Sequence, residues 1–375
     1  MRTTICKRLG CEVPIFAFSH CRDVVVAVTK AGGFGVLGAA TFSPQQLETE
    51  LAWIDAHTGG KPYGVDVIIP STYDAEAERS AGDLDSLIPA AHKAFMNDFL
   101  AKEGVPPLPP GERERIHREI VEGRGSMTPE GARRLVQVAL AHAQVKMIVS
   151  ALGAPPADVV AQMKATGVVV GAMCGKASHA ARQRAAGVEL IVAQGTEAGG
   201  HTGDIATMVL VPQVVEACGP EVPVLAAGGI TRGSQIAAAL AMGAQGVWCG
   251  TIWLGTRESE LDPFEKAAVF AARPEDAVRR RARTGKTVRM IRSRLSEVWE
   301  QPGAPSYLPT PLQGVLYNEA HARVVRAKRA DLYSFPVGQS VGDVNDETTV
   351  RDVMVRLQTE YLDAVERLHA LQTEG

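Results

Sequence analysis

Along the first 262 residues, short apolar runs alternate with longer amphipathic stretches. The runs cover residues 13–17, 34–38, 63–69, 146–150, 168–172, 189–193, 223–227 and 246–249. They are rich in Val, Ile and Leu and apolar throughout, the pattern of strands buried on both faces of a parallel sheet. Between them the spacing predicts helices over 22–31, 44–57, 129–142, from 155 onward, 177–186, 211–217 and 231–242. Ser43-Pro44 is the clearest start, with a hydroxyl cap before a ring that presets the first helical residue. Gly32-Gly33 is the clearest stop. With the region after Thr256 as the last helical segment, this makes eight strand–helix units. They favour an α/β chain closed into a (β/α)8 TIM barrel, with an open doubly wound sheet as the alternative.

Two stretches break the rhythm. Residues 71–128, rich in charge, Pro and Ala around PPLPPGERER, read as a helical insertion after strand three, a lid at its carboxyl end. Residues 263–375 show no strand rhythm and read as a helical C-terminal extension. It either caps the barrel mouth or serves self-association as a homodimer. Its Arg cluster at 273–286 reads as a solvated helical face. The expected division is therefore a barrel over 1–262, carrying the lid, and the extension from 263.

Composition narrows the function. A net charge of −3 gives no electrostatic case for nucleic acid. The six cysteines are scattered without a CxxC pair or zinc spacing, as in a reduced compartment. No apolar run approaches the ~18 residues of a membrane span. The opening MRTTICKRLGCE lacks an apolar signal core, so a cytoplasmic protein is expected.

Chemistry concentrates where strands end. The stretch LIVAQGTEAGGHTG, Leu190 to Gly203, passes from a buried run into a glycine-rich turn that presents His201. The loops after strands seven and eight, Ala227-Gly228-Gly229 and Gly250-Thr251, stand where such barrels bind phosphate. The helix starting at Thr231-Arg232-Gly233 adds a terminus that favours an anion. Other groups expected at the mouth are Ala17, Phe18, Ser19, Asp66, Ser150, Met173, Lys176 and Gln194. Gln194 with the Gly199 and Gly200 amides suits a polar heterocycle such as a flavin ring. No GxGxxG opens a helix after an early strand, and no Walker A or HExxH motif occurs.

The motifs AGGFGVLGA (31–39), YGVDVIIP (63–70), VAQGTEAGGHTGD (192–204), PVLAAGGITRG (223–233) and GVWCGTIWLGTRES (246–259) resemble the nitronate monooxygenase (2-nitropropane dioxygenase) family. The resemblance implies an FMN-dependent oxidoreductase that oxidises nitronates with O2, with His201 as active-site base. It also implies FMN contacts from Gln194, Gly199, Gly200, Ala227, Gly228, Gly229, Gly250 and Thr251. The glycine–His turn is shared with NADH:quinone reductases and flavin-dependent enoyl-thioester reductases, so the alternative is an NAD(P)H-dependent reductase of a quinone or an unsaturated acyl-thioester. The chain departs from the family in two places. It has Ala17-Phe18-Ser19 where many members carry Gln or Met, and Asp66 where many carry Asn. An ionised Asp66 would repel a nitronate or an anionic flavin unless it is paired or protonated.

Overall fold

A computed structural model describes residues 1–70 and 84–373; the part of the expected insertion at 71–83 lies outside the described residues. Eight parallel strands close into a barrel in the order β1-β2-β3-β4-β5-β6-β8-β9. These are β1 (Ile15–Ser19), β2 (Phe34–Gly38), β3 (Tyr63–Val67), β4 (Val145–Ser150), β5 (Val169–Cys174), β6 (Leu190–Gln194), β8 (Val224–Ala227) and β9 (Gly246–Cys249). A further short strand, β7 (Gly200–His201), stands outside the barrel.

Alternation along each strand sorts side chains into two cores. Phe16, Phe34, Val36, Met147, Val149, Leu190, Val192, Leu225 and Trp248 fill the barrel. Ile15, Ala17, Leu37, Val65, Ile148, Ile191 and Val247 face the helices. An amino-terminal helix, Thr4–Leu9, brings Ile5, Cys6 and Leu9 into the inner core. The helix Pro44–His57 begins with a reciprocal cap: Ser43 Oγ accepts from Gln46 N at 3.2 Å, and Ser43 N donates to Gln46 Oε1 at 2.8 Å.

The insertion and the extension form one structure. Helices Ala90–Lys102 and Pro110–Gly125 pack on the helix Leu312–Arg326. Their joint core includes Met96, Leu100, Met290, Trp299, Tyr317 and Tyr333. Arg323 ties them together, donating to the carbonyls of Pro106 and Val105 at 3.0 and 2.9 Å.

The extension is not strand-free as expected. It contributes a hairpin, β10 (Ala277–Arg280) and β11 (Val288–Ile291), and β11 pairs antiparallel with β7. The Arg cluster at 273–286 therefore lies on a short 3-10 turn, a strand and a hairpin loop, not on a helical face. Four-residue strands carry too little periodicity to be read locally. The final helix, Val350–Thr373, packs between the helices Gly233–Ala241 and Arg22–Lys30. It thus takes the place of the barrel's eighth helix, about a hundred residues after β9.

Candidate active site

The carboxyl ends of the barrel strands form a mouth beside the hairpin. Phe18, Asp66, Met173, Gln194, Ala227 and Gly250 lie in the inward register of the top layer, each two residues beyond an inward position that holds a core side chain in β1, β6, β8 and β9 and a glycine, Gly64 or Gly171, in β3 and β5. Phe18 stacks on Trp248 with ring centroids 6.0 Å apart. Two expected residues do not converge there through their side chains. Ala17 packs outward among the helices, and Ser19 Oγ accepts from Cys21 N at 3.1 Å at the start of the next helix. Lys176 is exposed, just before the helix Ala177–Ala185.

The three glycine loops stand on one rim; the first two touch directly, and the third is joined to the first through Gly338 of the extension. Gly195 N donates to Ala227 O at 2.9 Å. A Cβ on Gly228 would lie 3.1 Å from Gly195 O and 3.2 Å from Ala198 N, so this approach tolerates no side chain. Gly228 and Gly229 hold φ of 106° and 72°, where L side chains are strained. Glu197 secures the middle of the turn. Its carboxylate accepts from Thr207 N at 2.9 Å and Thr207 Oγ1 at 2.8 Å, and so caps the helix Thr207–Cys218 from a distance. From the extension, Gly338 N donates to Thr251 Oγ1 at 2.8 Å and Gln339 N to Glu197 O at 2.9 Å.

The anion position differs from expectation in one respect. The terminus of the helix Gly233–Ala241 is already filled by the chain itself. Gly233 N donates to Glu360 Oε2 at 2.7 Å, and Thr231 N and Arg232 N donate to Gln235 Oε1 at 2.8 and 3.0 Å. The amides of Gly228, Gly229, Gly250 and Thr251, by contrast, have no hydrogen-bond partner among the described residues. At Gly250 φ is an ordinary −119°, and an added Cβ would meet only Phe18, at 3.8 Å. A Cβ on Gly200 would meet nothing within 4 Å. Unpaired donors beside open glycine faces suit a phosphate-bearing mononucleotide.

His201 is held by β11, with Val288 as its ladder partner. Its Nδ1 donates to the Thr287 carbonyl at 3.0 Å. A carbonyl can only accept, so the proton sits on Nδ1 and, in the neutral ring, Nε2 keeps its lone pair. The residue as a whole is exposed, but its ring lies against the hairpin. Desolvation there, reinforced by Lys286 and Arg283, lowers its pKa below the usual imidazole value against the opposing effect of the Thr287 bond.

Arg289, which sequence reading missed, fastens this arrangement. It is buried and donates through Nε to Thr196 O at 2.8 Å and through Nη1 to Ala277 O at 2.5 Å. Charge-assisted bonds of this kind contribute about 1.5–3 kcal/mol each. Arg289→Leu is therefore expected to destabilise the protein by about 2–4 kcal/mol and to raise amide exchange across 196–203. Thermal unfolding and hydrogen exchange would check both; an unchanged melting temperature would remove Arg289 as the fastener.

Asp66 is fully buried, its Oδ2 has no hydrogen-bond partner among the described residues, and desolvation pushes its pKa up to about 8. It is therefore a neutral acid at pH 7, which removes the repulsion expected of a carboxylate at this position. An unfolded Asp ionises near 3.9, so between about pH 4 and pH 8 the native chain keeps a proton that the unfolded chain has lost. Stability therefore falls as pH rises through that window, by about 5 kcal/mol in total. Asp66→Asn is expected to be more stable than the parent at pH 8 and nearly equal to it at pH 4, read by denaturant titration at both values.

Residues 17–360 match the family model described as "Nitronate monooxygenase". A relative from Mycobacterium tuberculosis, named only as a monooxygenase, is 48% identical over 380 residues, covering 99% of each chain. The solved nitroalkane oxidase of Streptomyces ansochromogenes superposes with a TM-score of 0.77 at 26% identity, covering 97% of this chain and 99% of its own. FabK from Thermotoga maritima shares the fold, with a TM-score of 0.73 at 24% identity and 99% coverage of each chain.

Proposed function

The chain belongs to the nitronate monooxygenase family, and from that premise we propose that this oxidoreductase binds FMN and oxidises alkyl nitronates with O2, with His201 as the proton acceptor. The reading is carried by His201, whose Nδ1–H is committed to the Thr287 carbonyl, which leaves Nε2 to meet a substrate. FMN, when bound, would supply the electron-transfer chemistry between the nitronate and O2.

The chain's own residues do the rest. The amides of Gly228, Gly229, Gly250 and Thr251 would hold the phosphate, and Gln194 with the Gly199 and Gly200 amides would hold the ring system. His201 Nε2 takes the proton from the carbon next to a nitro group, and its lowered pKa keeps it unprotonated at neutral pH. For a nitronate already formed, the same ring orients the anion. Asp66, protonated, offers an O–H donor at the mouth where an ionised carboxylate would repel negative charge.

The test is oxygen uptake by the purified yellow protein with ethyl nitronate and no nicotinamide. Steady consumption supports the reading. No uptake, together with rapid anaerobic bleaching of the flavin by NADH or NADPH, overturns it in favour of the reductase alternative. A protein that takes up no FMN overturns both.

A further inference from the structure

The helix Thr4–Leu9 lies across the amino ends of the barrel strands, at the base opposite the mouth. Thr3 Oγ1 donates to Gln245 O at 2.6 Å and Arg8 pairs with Glu189, residues that directly precede β9 and β6. The helix ends at Gly10, whose φ is 80°. There the chain turns back, and Cys6 O accepts from Gly10 N at 2.9 Å and from Cys11 N at 3.1 Å. A left-handed ending of this kind folds the residue after the glycine over the one five positions earlier, and their side chains commonly make an apolar contact. Here both side chains are thiols. Cys6 and Cys11 are buried in the inner core, and the two side chains hydrogen-bond each other.

A reversible disulfide needs reach, a sulfur that ionises and a way in. The 3.1 Å backbone bond holds the two Cα atoms within the roughly 4.4–6.8 Å that a disulfide spans. The bond from the Cys11 thiol lowers the Cys6 pKa against the opposing effect of burial, and Thr3 and Arg2 add to the lowering. Cys11 is raised by the same bond and by burial, so it is the thiol that keeps its proton. The other four cysteines are buried too, and burial raises each of them. Thiolate therefore forms first at Cys6. A buried sulfur reacts when the chain around it opens, and this helix is suited to opening. It is six residues long, stands at the amino end of the chain, and borders a cleft of about 410 Å³ lined in part by Thr4, Ile5, Arg8, Val222 and Gln245.

We propose that Cys6 and Cys11 form a reversible oxidation site at the barrel base, where a hydroperoxide converts the pair into a disulfide that staples the first helix in place. The Cys6 thiolate attacks one peroxide oxygen and the O–O bond breaks. Cys6 becomes a sulfenic acid, and the hydroxide released takes up the proton that Cys6 gave to solvent. The Cys11 sulfur then attacks the Cys6 sulfur. The S–S bond forms, the S–O bond breaks, and a second water leaves with the Cys11 proton. Two thiols lose two electrons in all, and one hydrogen peroxide becomes two waters. A dithiol reductant reverses the change, as suits a disulfide in a reducing compartment. Neither the flavin nor His201 takes part, so the site is independent of the function proposed above.

The test is treatment of the reduced full-length protein with a small excess of hydrogen peroxide, followed by alkylation in denaturant and peptide mass measurement. The peptide holding Cys6 should be joined to the one holding Cys11, with the loss of two hydrogens, while Cys21, Cys174, Cys218 and Cys249 remain alkylated. Dithiothreitol should restore both thiols. In Cys11→Ser no second thiol resolves the sulfenic acid, so Cys6 should go on to sulfinic acid. In Cys6→Ser, Cys11 should stay alkylated. Amide exchange over residues 4–11 should slow about tenfold or more in the oxidised parent and in neither variant. Cys6 and Cys11 both alkylated after treatment, a disulfide shared equally with another cysteine, or exchange over 4–11 unchanged by the linkage would each overturn the site.

Discussion

His201→Ala is expected to lower kcat/KM for a neutral nitroalkane by about 10²–10⁴-fold while the flavin stays bound, the range for loss of a positioned general base. The imidazole contacts the hairpin and not the glycine loops that carry the proposed phosphate donors, so its removal leaves those donors in place. The pH profile distinguishes this role from a structural one. The competent form is the unprotonated ring, so kcat/KM for the nitroalkane should fall as pH drops through the His201 pKa. That pKa lies below the ordinary imidazole value of about 6.5, because desolvation, Lys286 and Arg283 all penalise the charged ring. In His201→Ala the acid limb should vanish along with the rate. A pre-formed nitronate has no carbon-bound proton to lose, so it should suffer a smaller loss. Equal losses on both substrates, or an acid limb unchanged in the variant, would exclude His201 as the base.

Much of the site was readable in the sequence because its parts are local. A glycine turn after an apolar run, and a capped helix such as that opening at Ser43-Pro44, announce themselves within ten residues. The strands 34–38 and 246–249 stand in the structure where the apolar runs put them. What escaped was the long-range part. β11 has four residues, Val288–Ile291, and is a strand because it pairs with β10 on one side and with Gly200-His201, outside the barrel, on the other. Arg289 reads as one arginine in a cluster until its partners, the carbonyls of Thr196 and Ala277, are known. The final helix could not be assigned to the barrel either. Its place is set by Gly233, where a Cβ would lie 2.2 Å from Leu357 O, and by Glu360, which fills the helix terminus that sequence reading gave to a cofactor anion. Apart from the Arg289–Ala277 bond, these contacts join residues roughly 90 to 130 positions apart, which no local pattern records.

Gly250→Ala and Gly228→Ala are expected to abolish tight flavin binding by different routes, and comparing them separates a glycine the ligand needs from one the chain needs. At Gly228, φ is 106° and the new Cβ would press on Thr207 Oγ1 at 2.9 Å, with two loop backbone atoms just beyond 3 Å. The empty protein itself is strained, by about 1–3 kcal/mol, so its melting temperature should fall and its flavin affinity with it. At Gly250 the backbone suits any residue, and the nearest atom to a new Cβ belongs to Phe18 at an ordinary 3.8 Å. Flavin-free Gly250→Ala should therefore melt within a degree or two of the parent. With flavin present, the added methyl stands beside the unpaired amides of Gly250 and Thr251, where a phosphate must approach closely. The dissociation constant should rise by about tenfold or more, corresponding to at least about 1.4 kcal/mol of lost binding. Flavin fluorescence titration and melting curves of the stripped proteins would measure both quantities. If Gly250→Ala binds FMN as tightly as the parent, the phosphate does not lie against that loop, and the anchoring of the cofactor must be sought elsewhere on the rim.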